Sequence, residues 1–284
     1  MQKYKDMPHD SYKSVNAWVI NIALPAVALK YLPKVEWDIS LALPVLTALI
    51  VWVGSYFFIQ LVSRFVKMDP RTKAALFLTA GLGNTSFMGF PLSEAYYGEE
   101  GLKLAILVDQ GCFIVMSTFG IMTASKASTE GHFKMAPIIR KILTFPPFIA
   151  FCLAFLLPPF IPFAPIEPLL DMLGATLIPL ALFSVGLQLK LRFSRADLRY
   201  INMALVYKLI LAPLLVLGIA LGIGVDGMHA KISVFEAGMA PMVTGAIIAT
   251  DYNLNPKLAN IILSIGIPLS LLTTYLLSRV LEIF

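Results

Sequence analysis

A polar and glycine-rich stretch interrupts an apolar segment near residue 84. It reads Gly81-Leu-Gly-Asn-Thr-Ser-Phe-Met-Gly-Phe-Pro91. Glycines, a polar triplet and a proline all weaken a helical hydrogen-bond ladder, and lipid offers no partner for a freed N–H or C=O group. Broken backbone at membrane depth is therefore tolerated only where protein or a water-filled cavity covers it, and such breaks commonly form binding sites.

A second interruption follows late in the chain, at Ala237-Gly-Met-Ala-Pro-Met-Val-Thr244. Each break starts a half-helix whose first N–H groups lack intrahelical partners, and the helix dipole places about half a positive charge there. This arrangement suits an anion. The residues that we expect to contact it are Asn84, Thr85 and Ser86 at the first break and Met239, Ala240 and Pro241 at the second. The alternative is that Asn84, Thr85 and Ser86 only cap the break.

Three ionisable residues, Asp109, Lys208 and Glu236, fall within roughly 5 Å of the predicted membrane midplane when depth is counted at about 1.5 Å per residue. Charges at this depth are costly and are usually paired or functional. Lys208 either attracts a substrate carboxylate or neutralises Asp109 or Glu236, and the ion pair is the favoured interpretation. Asp109 and Glu236 are the candidates for proton coupling, because burial favours the uncharged form of a carboxyl group.

The whole chain has the composition of a helical membrane protein. Of its 284 residues, 58% are hydrophobic and 14% are charged, and the mean hydropathy is +0.80. Apolar runs of about 20 residues predict helices rather than a barrel. The sequence therefore predicts an all-α polytopic membrane protein with nine transmembrane helices, near 15–32, 39–63, 74–97, 102–125, 138–160, 166–188, 199–223, 229–252 and 258–281.

The basic residues predict the orientation. Of the 22 Lys and Arg residues, sixteen fall on one side of the predicted spans, five fall on the other, and Lys208 lies within the membrane. The positive-inside rule then predicts a multi-pass protein of the cell membrane with a cytoplasmic N-terminus and an extracytoplasmic C-terminus. The net charge of +5 is thus explained by topology and gives no reason to expect nucleic acid.

A weak internal repeat recurs about 155 residues apart. Pro25 aligns with Pro179, Gly83 with Gly238, and Gly111 with Gly266. The repeat predicts three parts: a first half over 1–125 with four spans, a cytoplasmic linker over 126–137, and a second half over 138–284 with five spans. An odd number of spans between equivalent positions makes the repeat inverted. By subtraction, we expect the partner of span 138–160 to lie upstream of Met1.

These residues resemble the auxin efflux carrier family in its short prokaryotic form. The resemblance rests on Gly83-Asn-Thr-Ser-Phe-Met-Gly-Phe-Pro91, on Ala237 to Thr244, on Ala249-Thr-Asp-Tyr-Asn253 and on Asn21 to Pro25. It implies two inverted five-helix repeats, here without the first helix, whose broken helices cross. It also implies a carrier of small organic anions, such as an auxin-like or a malate- or malonate-type acid. It further implies alternating access of an elevator type and a homodimer contact through spans 15–32 and 166–188.

The predicted function is secondary transport of a small organic anion, with membrane lipid as surroundings, no cofactor, no metal site and no enzymatic activity. Crossing half-helix ends would bind the anion without a fixed cation. A sodium-coupled carrier of the bile-acid type is the nearest alternative, with oxygens from Thr85, Ser86, Gln110 and Thr244 as sodium ligands. A membrane sensor that only binds the ligand is a further alternative. An intramembrane protease is disfavoured, because Asp109 lacks an evident aspartate partner.

Overall fold

The computed structural model describes residue 8 and residues 10–35, 38–128, 135–158, 165–188 and 198–283. Throughout these ranges the regular structure is helical, and the one pairing of extended backbone is an isolated bridge between Gly83 and Pro241. The prediction of an all-α polytopic membrane protein is confirmed. His9, His132, residues 129–134 of the predicted linker and several of the counted basic residues lie outside the described ranges.

The α-helices, in chain order, are α1 Ser11–Trp18, α2 Leu24–Tyr31, α3 Ala42–Val62, α4 Pro70–Ala80, α5 Phe90–Val115, α6 Ile121–Ala127, α7 Met135–Leu143, α8 Pro146–Leu156, α9 Glu167–Gly174, α10 Leu177–Gln188, α11 Leu198–Val206, α12 Ala212–Ile223, α13 Gly227–Ala237, α14 Val243–Asp251 and α15 Pro256–Leu281. Within the described ranges, four wider π-helical turns join neighbouring helices, at Val19–Ala23, Thr85–Gly89, Met116–Gly120 and Tyr207–Leu211. Short 3₁₀ turns cover Leu32–Lys34 and Ile39–Leu41.

Proline explains three of the four π turns. Pro25, Pro91 and Pro213 each lie two residues after the end of such a turn. A proline has no N–H to donate and its ring collides with the carbonyl group four residues earlier. Widening the preceding turn removes that collision while the helix continues, and π turns of this kind are frequent at functional sites.

Six helical stretches of the described residues are long and apolar enough to cross a membrane: Ser11–Lys34, Ile39–Val62, Thr85–Ala127, Glu167–Leu187, Leu198–Ile223 and Pro256–Leu281. Predicted spans 74–97 and 229–252 are interrupted, and the region of span 138–160 contains the short helices α7 and α8. The stretch Thr85–Ala127 changes direction at Gly98, whose φ of 66° is accessible to glycine. The count of nine spans and the inverted repeat remain predictions.

The helices pack into two groups. The first-span group consists of α1, α2, α8, α9 and α10, in which α2 packs on α8 and α9 and α1 packs on α10. The crossing group consists of α3, α4, α5 and α11 to α15, in which α3 packs on α5, α12 and α13, and α4 packs on α14 and α15. The two groups meet where α10 packs on α5 and its preceding π turn.

Candidate functional site at the crossing of two interrupted helices

The first interruption separates α4 from the π turn at Thr85–Gly89. Gly81 ends α4, and Asn84 then takes a non-helical conformation with φ of −83° and ψ of 63°. The carbonyl oxygen of Asn84 accepts hydrogen bonds from the N–H groups of Met88 and Gly89, at 3.2 Å and 3.0 Å. Asn84 is therefore the residue from which the second half-helix starts.

The second interruption separates α13 from α14, over residues 238–242, and it lies directly against the first. The N–H of Asn84 donates to the carbonyl oxygen of Ala240 at 2.8 Å, and the N–H of Met242 donates to that of Leu82 at 3.2 Å. These bonds form the antiparallel bridge between Gly83 and Pro241. The two predicted breaks thus exist and lie against each other. Each break provides a backbone carbonyl group that accepts a hydrogen bond from an N–H group of the other.

Several backbone donors at this crossing have no acceptor among the described residues. They are the N–H groups of Thr85, Ser86 and Phe87 at the first half-helix and of Val243 and Thr244 at the second. Helix N-termini leave such donors by construction, and the helix dipole adds positive potential there. The crossing therefore presents two groups of donors that favour negative charge.

The three polar residues predicted at the first break have different roles. The hydroxyl groups of Thr85 and Ser86 both donate to Oδ1 of Asp109, the latter at 2.9 Å. The side chain of Asn84 makes no capping hydrogen bond, and its buried Nδ2 has no partner in the part of the chain that the structure describes. An unpartnered buried amide costs free energy until a ligand or water accepts from it. Of the three residues, Asn84 therefore has the donor that a substrate oxygen would accept from.

Lys208 is 1% exposed and lies in the π turn at Tyr207–Leu211. Its Nζ donates to the carbonyl oxygen of Ala237 at 2.6 Å, and it forms no ion pair with a carboxylate of the described residues. The direct ion pair that the sequence favoured is therefore not formed. The reason is local, because α13 ends at Ala237 and a cation at a helix C-terminus is stabilised by free carbonyl groups and by the dipole.

The two buried carboxyl groups approach the first half-helix from different elements. Asp109, 6% exposed, comes from α5 and holds Thr85 and Ser86. Glu236, 1% exposed, comes from the end of α13 and accepts a hydrogen bond from the Ser93 hydroxyl at 2.8 Å. Its second oxygen, Oε2, has no partner among the described residues. The site therefore contains one buried cation and two buried carboxyl groups.

A cavity of about 10 Å³ lies at the crossing. Its lining residues come from the first break, from α3 and α5, from the end of α13 and from the π turn at Tyr207–Leu211: Thr47, Ala48, Val51, Gly81, Gly83, Thr85, Val108, Cys112, Lys208, Glu236 and Ala237. A cavity of this size has room for about one water molecule. It is too small for a dicarboxylic acid, so a substrate of that size requires the surrounding helices to separate.

The predicted residues of the second break contribute through their backbone. Met239 and Ala240 are fully buried, and Ala240 contributes the carbonyl group that joins the breaks. Pro241 packs against Gly266, where an added Cβ would lie 2.8 Å from the proline Cγ. The cavity lining includes none of these three side chains.

Sequence reasoning missed Thr47 and Ser93. Thr47 lies in an apolar helix and lines the cavity, although its hydroxyl also donates to the carbonyl of Leu43 at 2.8 Å. Ser93 lies four residues, about one helical turn, after Gly89. The two residues therefore lie on the same side of the helix, and this spacing is the sequence pattern that could have indicated Ser93. Within the described residues, no group of three or more His, Cys, Asp or Glu residues is placed to hold a metal ion.

A larger cavity of about 310 Å³ lies between the first-span group and the crossing group. Residues of α2, α5, α9 and α10 line it: Val27, Lys30, Tyr31, Glu94, Leu102, Leu170, Asp171, Gly174, Ala175, Leu177 and Ile178. Lys30 forms an ion pair with Asp171 at 2.7 Å, and Lys34 forms one with Glu167 at 2.5 Å. The two ion pairs join the end of the first long helix to the start of α9.

Interrupted helices that cross inside a helical membrane protein are typical of membrane transport proteins. The chain belongs to the family described as "Membrane transport protein", whose model matches residues 1–278, and the predicted resemblance to auxin efflux carriers is confirmed. It is a multi-pass membrane transporter.

Curated relatives carry the same general description. The chain is 26% identical to an "Uncharacterized transporter" of Methanothermobacter thermautotrophicus, over 94% of this chain and 88% of the relative. It is 26% identical to the "Uncharacterized transporter YfdV" of Escherichia coli K12, over 91% and 85%. It is also 26% identical to a "Putative malonate transporter" of Rhizobium meliloti, over 94% and 86%.

Proposed function

We propose that this protein is a secondary carrier of a small organic anion and binds that anion at the crossing of its two interrupted helices. One observation carries the proposal: the crossing brings together the unpartnered N–H groups of two half-helices and the unpartnered Nδ2 of Asn84. These donors suit the oxygens of a carboxylate. Lys208 lines the cavity at the same place and adds a buried positive charge.

The charges of the site favour a carboxylate as the ligand. Asp109 is engaged by the hydroxyl groups of Thr85 and Ser86, so it acts within the first half-helix rather than toward a ligand. Among the described residues, Lys208 has a single hydrogen-bond acceptor, the Ala237 carbonyl, although an ammonium group has three donors. A substrate carboxylate next to Lys208 would complete its coordination and neutralise its charge.

The substrate class is a short mono- or dicarboxylic acid. The relative named "Putative malonate transporter" supports the inclusion of malonate, while the auxin efflux carrier family supports larger aromatic carboxylates. The cavity of about 10 Å³ accepts neither without rearrangement. Substrate size is therefore set by how far the helices separate, and the experiment must include acids of different size.

The mechanism is alternating access in which the crossing group moves against the first-span group. The cavity of about 310 Å³ between them supports this division, because the two groups are not closely packed there. The proposal also includes an orientation with a cytoplasmic N-terminus, an inverted repeat and a homodimer contact through 15–32 and 166–188. Under that orientation the larger cavity opens toward the extracytoplasmic side.

Uptake of labelled acids into proteoliposomes tests the proposal. The panel contains malonate, malate, a longer dicarboxylate and indole acetate, with glucose and lysine as solutes of a different class. Saturable uptake of at least one acid is expected, and Asn84→Ala is expected to reduce it at least tenfold. Asn260→Ala is the matched control, because the amide of Asn260 is exposed and only donates to the Pro256 carbonyl. Uptake of no acid, or equal uptake by the two variants, would contradict the proposal.

A further inference from the structure

The two buried carboxyl groups of the crossing differ in how well they are satisfied. Oδ1 of Asp109 accepts hydrogen bonds from two hydroxyl groups, those of Thr85 and Ser86. Glu236 accepts one hydrogen bond, from Ser93 to Oε1, and its buried Oε2 has no partner among the described residues. The partners of Asp109 stabilise a carboxylate, whereas Glu236 has one oxygen in surroundings that provide no donor.

An ionised group in that position is costly. A buried carboxylate needs a paired cation or several donors to offset the loss of hydration. Glu236 has neither, because Lys208 donates to the Ala237 carbonyl rather than to a carboxylate. Gly89 brings the first half-helix so close that an added Cβ would collide with the carboxyl group, so backbone rather than solvent covers this side. The surroundings fit a neutral carboxyl group.

The charged groups around Glu236 come from two elements. Lys208 and Cys112 line the same small cavity as Glu236, and Asp109 lies on α5 with its hydroxyl partners. Helices α3 and α12, which also pack on α13, contain no charged residue over 42–62 and 212–223. Helix α15 contains Lys257 near its start and Arg279 near its end. Lys208 is therefore the cation that shares a cavity with Glu236.

We propose that Glu236 is the proton-binding site of the carrier and that its protonation makes Lys208 available to the transported anion. This inference rests on the proposed function, since it needs an anion at the crossing. In the loaded carrier, Glu236 keeps its proton on a carboxyl oxygen, and the anion neutralises Lys208. After the anion leaves, the O–H bond of Glu236 breaks, the proton passes to water on the same side, and the resulting carboxylate neutralises Lys208.

The charge balance explains why a single titrating group is sufficient to couple the movement of the anion to that of a proton. For an acid that carries one negative charge, the site holds one positive and one negative charge around Lys208 both when it is loaded and when it is empty. Neither form leaves Lys208 uncompensated in the membrane, where an unpaired charge is costly. Asp109 stays hydrogen-bonded to Thr85 and Ser86 in both forms and takes no part in the proton exchange. One proton therefore moves with each anion in the same direction.

Two measurements on the same proteoliposomes test this coupling. Exchange of labelled for unlabelled acid without a gradient reports binding and movement, and accumulation driven by a pH gradient reports coupling. One proton per anion predicts accumulation of about tenfold for each pH unit of gradient. For Glu236→Gln, the ratio of internal to external acid is expected to fall to one, which means no accumulation. Exchange is expected to remain measurable and to lose its dependence on pH. The exposed Glu100→Gln is the matched control and is expected to accumulate the acid as the wild type does.

A third measurement covers the case in which a variant folds poorly. Binding of the acid to purified wild-type protein in weakly buffered detergent is expected to take up about one proton per anion, recorded by a pH-sensitive dye. Proton-driven accumulation by Glu236→Gln would overturn the inference, as would wild-type binding without proton uptake or accumulation that follows a sodium gradient instead. If the wild type exchanges no acid at all, the proposed function itself fails and this inference fails with it.

Discussion

Gly245 is a residue of the crossing that leaves no room for added volume. It lies in the first turn of α14, and a Cβ added there would lie 3.2 Å from the carbonyl carbon of Leu78 and closer still to its oxygen. Both atoms belong to the backbone of α4, so no side-chain rotation relieves the collision. Gly245→Ala therefore forces α4 and α14 apart by several tenths of an ångström.

The expected magnitude follows from two opposing effects. Overpacking of this kind costs about 1–3 kcal/mol. Replacing glycine in a helix returns at most about 1 kcal/mol through helix propensity. With the full gain subtracted, the free energy of unfolding is expected to fall by up to about 2 kcal/mol. The displaced α14 also carries the N–H groups of Val243 and Thr244, so affinity for the transported acid is expected to fall about tenfold, the equivalent of 1.4 kcal/mol.

Gly218→Ala is the matched control, because a Cβ at Gly218 in α12 meets no atom within 4 Å. Unfolding of both variants in detergent, followed by acid binding to each, measures the two effects separately. Gly218→Ala is expected to be at least as stable as the wild type and to bind the acid normally. Equal stability and equal affinity of the two alanine variants would refute the close approach of α4 and α14.

Three further predictions concern a buried cation, a helix cap and an ion pair. Lys208→Gln is expected to weaken acid binding at least tenfold, measured by equilibrium binding, because it removes the cation that lines the small cavity. Asp69→Ala is expected to lower the free energy of unfolding by about 0.5–2 kcal/mol at neutral pH, since Asp69 caps α4. The hydrogen bond from the Thr72 side chain holds the pKa of Asp69 below its ordinary value. The difference in unfolding free energy between the wild type and Asp69→Ala should therefore be complete above about pH 4 and should be lost as the pH falls and the carboxylate is protonated. Asp171→Asn removes the half-exposed ion pair with Lys30 and is expected to change thermal stability by less than about 1 kcal/mol.

The interruptions were predictable because their cause is local. Gly81, Gly83 and Pro91, like Gly238 and Pro241, weaken a helix whatever surrounds it, and the structure interrupts both helices there. The turn between predicted spans 74–97 and 102–125 was also predictable, and the structure places it at Gly98. Depth counted along the chain brought Asp109, Lys208 and Glu236 to the same level of the membrane. All three border the crossing in the structure.

The partners of these residues were not predictable, because tertiary packing decides them. Ser93 and Glu236 are 143 positions apart in the chain, and no local sequence pattern predicts the hydrogen bond between them. Lys208 binds a backbone carbonyl group, and because every residue provides one, no sequence pattern points to the carbonyl of Ala237 in particular. The engagement of Thr85 and Ser86 by Asp109 likewise depends on how α5 folds back after Gly98. These contacts decide which polar groups remain free for a ligand.

The most direct test of the crossing as the anion site is equilibrium binding of a transported acid to purified Asn84→Ala and Asn260→Ala protein, without any gradient. The unpartnered Nδ2 of Asn84 predicts at least tenfold weaker binding for Asn84→Ala, with normal folding by size-exclusion chromatography. Asn260→Ala is expected to bind as the wild type does. Equal affinity of the two variants would place the anion elsewhere and contradict the account.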